Sequence, residues 1–93
     1  MKLDESQLTR FYVRLTPRQR QIVHLVSEGL NNQEVARRLY IASSVVAGHL
    51  TNIYSEIGIL EAFADQTPNR YTVIRLFSGF VDRHPEFNPL DGP

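Results

Sequence analysis

LTPRQRQIVHLVSEGLNNQEVARRLYIASSVVAGHLTNIYSEIG, residues 15–58, decides the fold. Thr16 opens a helix: its hydroxyl can accept from orphan backbone donors, Pro17 suits the first helical position, and Gln19 completes a capping box. Ile22, Leu25 and Val26 form the buried stripe of that first helix, and Gly29 stands where a left-handed terminal residue is needed. Asn31 with Glu34 repeats the capping device for a second, short helix, which turns Val35, Ala36 and Leu39 inward and ends near Leu39 or Tyr40. After a tight connection through Ile41 and Ala42, a third helix is predicted over residues 43–57. Its Val46, Leu50, Ile53 and Ile57 make one continuous core face, and Gly58 is expected to end it.

Outward from this unit the signals weaken. Residues 1–14 are read as a lead-in with a short extra helix, because Leu8, Phe11, Tyr12 and Leu15 share one face and Asp4 or Ser6 can cap it. Residues 59–66, ILEAFADQ, are a connector with a possible helical turn. Thr67 and Pro68 are expected to start a last helix reaching about Asp82, with Tyr71, Ile74, Phe77, Phe80 and Val81 on a broad apolar stripe. Pro85, Pro89 and Pro93 mark residues 83–93 as an irregular tail. There is no strand pattern and no internal repeat. The expected architecture is all-α: four helices over residues 15–82, with the short extra helix in front.

At 93 residues the chain is one domain with a modest core. It has no cysteine, which rules out disulfides, thiolate catalysis and Cys-ligated zinc. No apolar run approaches the ~18 residues of a membrane span, and the polar N-terminus carries no visible signal peptide. The expectation is a soluble, cytoplasmic protein with no membrane partner. Net charge is zero but unevenly placed. Residues 1–50 hold Lys2, Arg10, Arg14, Arg18, Arg20, Arg37 and Arg38 against Asp4, Glu5, Glu28 and Glu34, a balance of +3; the rest hold Arg70, Arg75 and Arg83 against Glu56, Glu61, Asp65, Asp82, Glu86 and Asp91, a balance of −3. A basic half suits an anionic partner, and ordinary scatter over a solvated surface explains it equally well.

The second and third helices, joined by so tight a turn, read as a helix-turn-helix. Leu15-Thr16-Pro17-Arg18, Gly29-Leu30, Asn32, Glu34-Val35-Ala36, Leu39, Ile41, Val46, His49-Leu50, Asn52-Ile53 and Gly58 together resemble the LuxR/GerE-type helix-turn-helix domain of bacterial transcription regulators. Sigma-factor region 4 opens with a similar helix but matches less well over residues 49–58. The resemblance implies a DNA-binding transcriptional regulator whose third helix lies in the major groove of double-stranded DNA and whose last helix pairs two subunits into a homodimer. Ala47, Gly48 and Thr51 then fall at base-facing positions. Ser43, Ser44, Val45, Asn52, Asn32 and Gln33 lie near phosphates. Helical geometry gives a similar exposed face independently, since burying Val46, Leu50 and Ile53 leaves Ser44, Ala47, Gly48, Thr51 and Ser55 opposite. Arg37, with Arg38, Arg18 and Arg20 at the flanks, and His49 complete the candidate contacts. Tyr71, Ile74, Phe77, Phe80 and Val81 are the candidate dimerisation residues; of these, Ile74 and Phe77 are expected mainly in the core, with Val73.

The departures from the family pattern all weaken that face. The family usually has Ser at Ala42, Thr at Val45 and Lys at Ala47, so this chain lacks a cap hydroxyl worth roughly 1 kcal/mol, a phosphate donor and the typical basic reader. The third helix carries no Lys or Arg, although arginine to guanine is the commonest specific base contact. Each feature also has a bland reading. The arginines can be solvated helix faces paired with Glu34, His49 can pack beside the second helix, and the aromatic stripe can simply cover the core. The alternative function is a helix-turn-helix used as a protein-interaction module, docking on polymerase, a sigma factor or another regulator. His24, His49 and His84 sit on different segments with no metal-ligand spacing and no phosphate loop. No enzymatic activity, metal or cofactor is therefore expected.

Overall fold

A computed structural model of the chain describes residues 3–90. Within them the chain is helical and has no strand: α1 (Glu5–Arg14), α2 (Pro17–Ser27), α3 (Asn32–Leu39), α4 (Ser43–Ile59), a 3-10 turn at Glu61–Phe63, α5 (Arg70–Phe77), α6 (Phe80–Arg83) and a second 3-10 turn at Pro85–Phe87. Residues 1–2 of the lead-in and 91–93 of the tail lie outside the described residues.

The helix starts follow local chemistry. Asp4 caps α1 with Gln7, Thr16 caps α2 with Gln19, and Asn31 caps α3 with Glu34, each as a reciprocal box. At the other end of α2, Gly29 takes φ +95°. There the Gly29 amide donates to the Val26 carbonyl and the Leu30 amide to that of Leu25. This paired closure satisfies two of the helix's orphan carbonyls and needs a residue without a Cβ penalty.

Two boundaries differ from the sequence reading. Gly58 does not end α4: its φ is not positive, and the helix runs on to Ile59, closing where Leu60 turns extended. The glycine sits inside the last turn of the helix, and Pro68 lies against it. The last helix starts at Arg70 rather than at Thr67 and Pro68. Asn69 wins the cap because its side-chain oxygen accepts from the Tyr71 amide (2.9 Å) and the Thr72 amide (3.3 Å), while the Thr72 hydroxyl accepts from the Asn69 amide (3.0 Å). That helix is also broken into α5 and α6, since Gly79 adopts φ +76°. The break turns Phe77 and Phe80 onto the same core, with rings 5.5 Å apart.

One core serves all the helices. Ile22, Val23, Leu25 and Val26 of α2, Val35 of α3, Val46, Leu50 and Ile53 of α4, and Val73 and Phe77 of α5 are buried in a single cluster, with α2 packed against α3, α4 and α5. Leu8, Phe11 and Tyr12 of α1 are buried in the same cluster. Tyr12 is 1 % exposed and touches Phe80 (4.8 Å between ring centroids), Phe77 (5.8 Å) and Phe87 (6.1 Å). Its hydroxyl donates to the Phe87 carbonyl at 2.9 Å, and burial pushes the phenol up to about 12. The described part of the tail is thus a turn docked on α1. Arg83 donates an exposed two-point bond to Glu5 (2.9 and 3.2 Å), and the Arg83 guanidinium holds the Glu5 carboxyl below the usual carboxylate range.

Candidate nucleic-acid interface

α3 and α4 pack on each other across a turn of three residues, 40–42. The turn is closed by Tyr40 in the left-handed region (φ 57°, ψ 44°), with the Ile41 amide donating to the Ala36 carbonyl at 3.1 Å. A non-glycine residue there costs on the order of 1 kcal/mol. Tyr40 is also 94 % exposed, so its ring recovers nothing from the core.

α4 divides cleanly into two faces. Val46, Leu50, Ile53 and Ile57 are buried, and that spacing of four, three and four holds one stripe over the whole helix. Ser43, Ser44, Val45, Ala47, Gly48, Thr51, Asn52 and Ser55 are exposed. The hydroxyls of Thr51 and Ser55 donate back to the carbonyls of Ala47 and Thr51, each at 3.1 Å. Both oxygens keep lone pairs for an outside donor. His49 lies half-buried on the border between the faces. At the helix start, Ala42 has the extended backbone of a cap but supplies no side-chain bond. Gly48 has no partner within its own fold that requires a glycine: a Cβ there would meet nothing within 4 Å.

On α3, Gln33, Arg37 and Arg38 are exposed and Asn32 is half-buried. Neither arginine forms an ion pair with any described residue. Glu34, their expected intrahelical partner, instead accepts from the Asn31 amide at 2.9 Å. Arg18 and Arg20 are less available, since they donate to the Gln21 side chain and the Val13 carbonyl, each at 3.2 Å. The structure therefore brings Asn32, Gln33, Arg37 and the small exposed residues of α4 onto neighbouring packed helices, with Arg37 and Arg38 the cations left uncommitted on α3.

The residues proposed for a dimer seam separate. Phe77 (2 % exposed) and Phe80 (1 %) belong to the chain's own core. Tyr71 is 73 % exposed, with Ile74 and Val81 half-buried. Arg70 was invisible to sequence reasoning as part of this region. From the first turn of α5 it donates to Asn32 Oδ1 at 2.7 Å and to the Leu30 carbonyl. A contact across 38 positions leaves no local pattern to find. Among the described residues no group of His, Cys, Asp and Glu is placed to hold a metal ion, and no helix is long and apolar enough to cross a membrane.

Comparison with known proteins falls on this same region. The family model described as bacterial regulatory proteins, luxR family, matches residues 13–62, which contain α2, α3 and α4. Over 45 residues the chain is 47 % identical to proteins named as HTH-type transcriptional regulators in Mycobacterium tuberculosis and Mycobacterium bovis. Over an equal length it is 38 % identical to the transcriptional regulatory protein LnrK of Bacillus subtilis. These alignments cover 48 % of this chain but only 5 % of the mycobacterial proteins and 20 % of LnrK. No solved structure matches the chain significantly. The capped α2, the closure at Gly29, the tight turn into α4 and the family match over the same residues agree: the chain belongs to the LuxR family of bacterial regulatory proteins.

Proposed function

We propose that this chain is a sequence-specific DNA-binding unit of a cytoplasmic bacterial transcription regulator. In this reading it works as a homodimer on double-stranded DNA. The exposed face of α4 enters the major groove, with Ala47, Gly48 and Thr51 toward base edges. Ser43, Ser44, His49 and Asn52 on α4, and Asn32, Gln33 and Arg37 on α3, face the phosphates. α5 and α6 form the seam between subunits through Tyr71, with Ile74 and Val81 beside it. Catalysis and cofactors have no part in the mechanism.

The observation that carries this reading is the coincidence of the family match with an α4 face that does nothing for its own fold. Its side chains are small, exposed and free of tertiary bonds, and one is a helix-interior glycine that no neighbour requires. Small residues let a helix sit close to base edges, and Thr or Ala can meet a thymine methyl. Affinity must then come from elsewhere. Arg37 and Arg38 supply phosphate neutralisation, and two half-sites bound together multiply a weak single contact.

A second reading is favoured by one observation: α4 offers no Lys or Arg, while Tyr40 and Val45 add exposed apolar surface to its leading end. On that reading the same face docks on a protein of the transcription machinery or on another regulator. Fluorescence anisotropy of the chain with a randomised duplex, titrated at several salt concentrations, separates the two. DNA binding requires an affinity that falls with rising salt, and Thr51→Glu should abolish it without changing the unfolding midpoint. Absence of binding at low salt, or binding untouched by Thr51→Glu, removes α4 as the reader.

A further inference from the structure

Arg70 ties three elements together. It is the first residue of α5. One guanidinium nitrogen donates to Asn32 Oδ1 at 2.7 Å and the other to the Leu30 carbonyl, at the corner between α2 and α3. The side chain is half-buried, so the planar fork is held by its surroundings, and an arginine used this way loses little further freedom per bond.

The chemistry of the pair fixes which way Asn32 faces. A guanidinium has donors and no acceptor, so the Asn32 atom against it must be the carboxamide oxygen. That removes the ordinary ambiguity between the two ends of an asparagine side chain. The other end, Nδ2, carries two donors and bonds to no described residue. Asn32 is the first residue of α3, in the region assigned above to the phosphates.

We propose that Arg70 is a positioning residue for DNA: by holding the Asn32 carboxamide oxygen it leaves Nδ2 as the group that donates to a backbone phosphate. Without the guanidinium the carboxamide can turn over and present its oxygen to the phosphate, which repels it. With Arg70 in place the donor is ordered before DNA arrives, and the cost of immobilising the Asn32 side chain on binding is avoided. The helix proposed to pair subunits thereby also sets a contact on the DNA-facing side, in a domain whose reading helix lacks cations. This inference rests on the DNA-binding reading above.

The test uses the full chain and a duplex selected from a randomised pool, with affinity and unfolding midpoint measured for each variant. Arg70→Gln and Asn32→Ala should each weaken binding about tenfold, as expected for one hydrogen bond to a charged group. The double variant should be no weaker than either single one. An additive loss of about a hundredfold would mean that Arg70 acts on DNA independently, and would overturn the proposal. The salt slope of Arg70→Gln should match the wild type, because a slope smaller by about one marks a direct phosphate contact. Asn32→Asp guards against a trivial folding defect: it keeps an acceptor for Arg70 but replaces the donor with an anion. It should unfold at or above the wild-type temperature and bind more than tenfold more weakly. Wild-type affinity in Asn32→Asp defeats this inference alone, whereas a wild-type chain that binds no duplex at low salt defeats the DNA-binding reading and this inference with it.

Discussion

Gly48→Ala should make the domain more stable and its DNA binding weaker. Gly48 lies in the interior of α4, where glycine costs roughly 0.5–1 kcal/mol relative to alanine through backbone entropy. The gain from substitution is often cancelled by a clash or by strain at positive φ. Neither applies here, since the φ of Gly48 is not positive and an added Cβ meets no atom within 4 Å. The full propensity difference should therefore appear. In a domain of this size about 1 kcal/mol moves the midpoint by roughly 4–8 °C. Thermal unfolding followed by far-ultraviolet circular dichroism measures the shift, and anisotropy with a selected duplex measures binding. A lowered midpoint would refute the claim that nothing inside the fold needs this glycine. A raised midpoint with undiminished affinity would show that DNA does not approach α4 closely at this position.

Other consequences are as direct. Ala42→Ser restores the missing cap at a residue that already has cap geometry, and should stabilise the domain by about 1 kcal/mol in a denaturant titration; no gain would mean that the α4 amides are satisfied by other means. Tyr71→Glu places a charge on the most exposed part of the proposed seam and should halve the mass seen by light scattering, while an unchanged mass would exclude α5 from the seam. Tyr12 holds its proton up to about 12, against 10.0 for a free phenol, so its contribution to stability is present below pH ~10 and is lost as pH rises toward 12. Unfolding free energy should fall across that window, and Tyr12→Phe should flatten the fall while costing about 1 kcal/mol at neutral pH.

Much of the fold was legible because its signals are local. A cap residue and its partner three positions on identify the starts of α2 and α3 wherever the rest of the chain lies, and the period of Val46, Leu50, Ile53 and Ile57 fixes which side of α4 is buried. The two misread boundaries failed for different local reasons. Thr67 and Asn69 are both cap formers, and the choice between them went to the residue whose helix start lets Thr72 return the bond and Arg70 reach Asn32. Gly58 was the one stop signal near the end of α4, yet the helix runs one residue past it to Ile59, with Pro68 against Gly58. The apolar stripe of the last helix was visible, but a stripe does not say what covers it. Phe77 and Phe80 are covered by Tyr12, from the far end of the sequence.

The bond between Tyr12 and Phe87 spans 75 positions, and it separates two ideas of what a domain is. The segment by which this chain is assigned to its family, residues 13–62, omits Leu8, Phe11, Tyr12, Val73, Phe77 and Phe80, all of them buried in the shared core. Cut out alone, α2 would show water the apolar side that α5 now covers. The helix-turn-helix is assembled from neighbours in sequence, while the cover over its back is assembled from opposite ends of the chain, at the entropic cost of closing a long loop. The unit of inheritance that homology detects is thus shorter than the unit of cooperative folding, and an excised or grafted version of this reading head must carry both flanks with it.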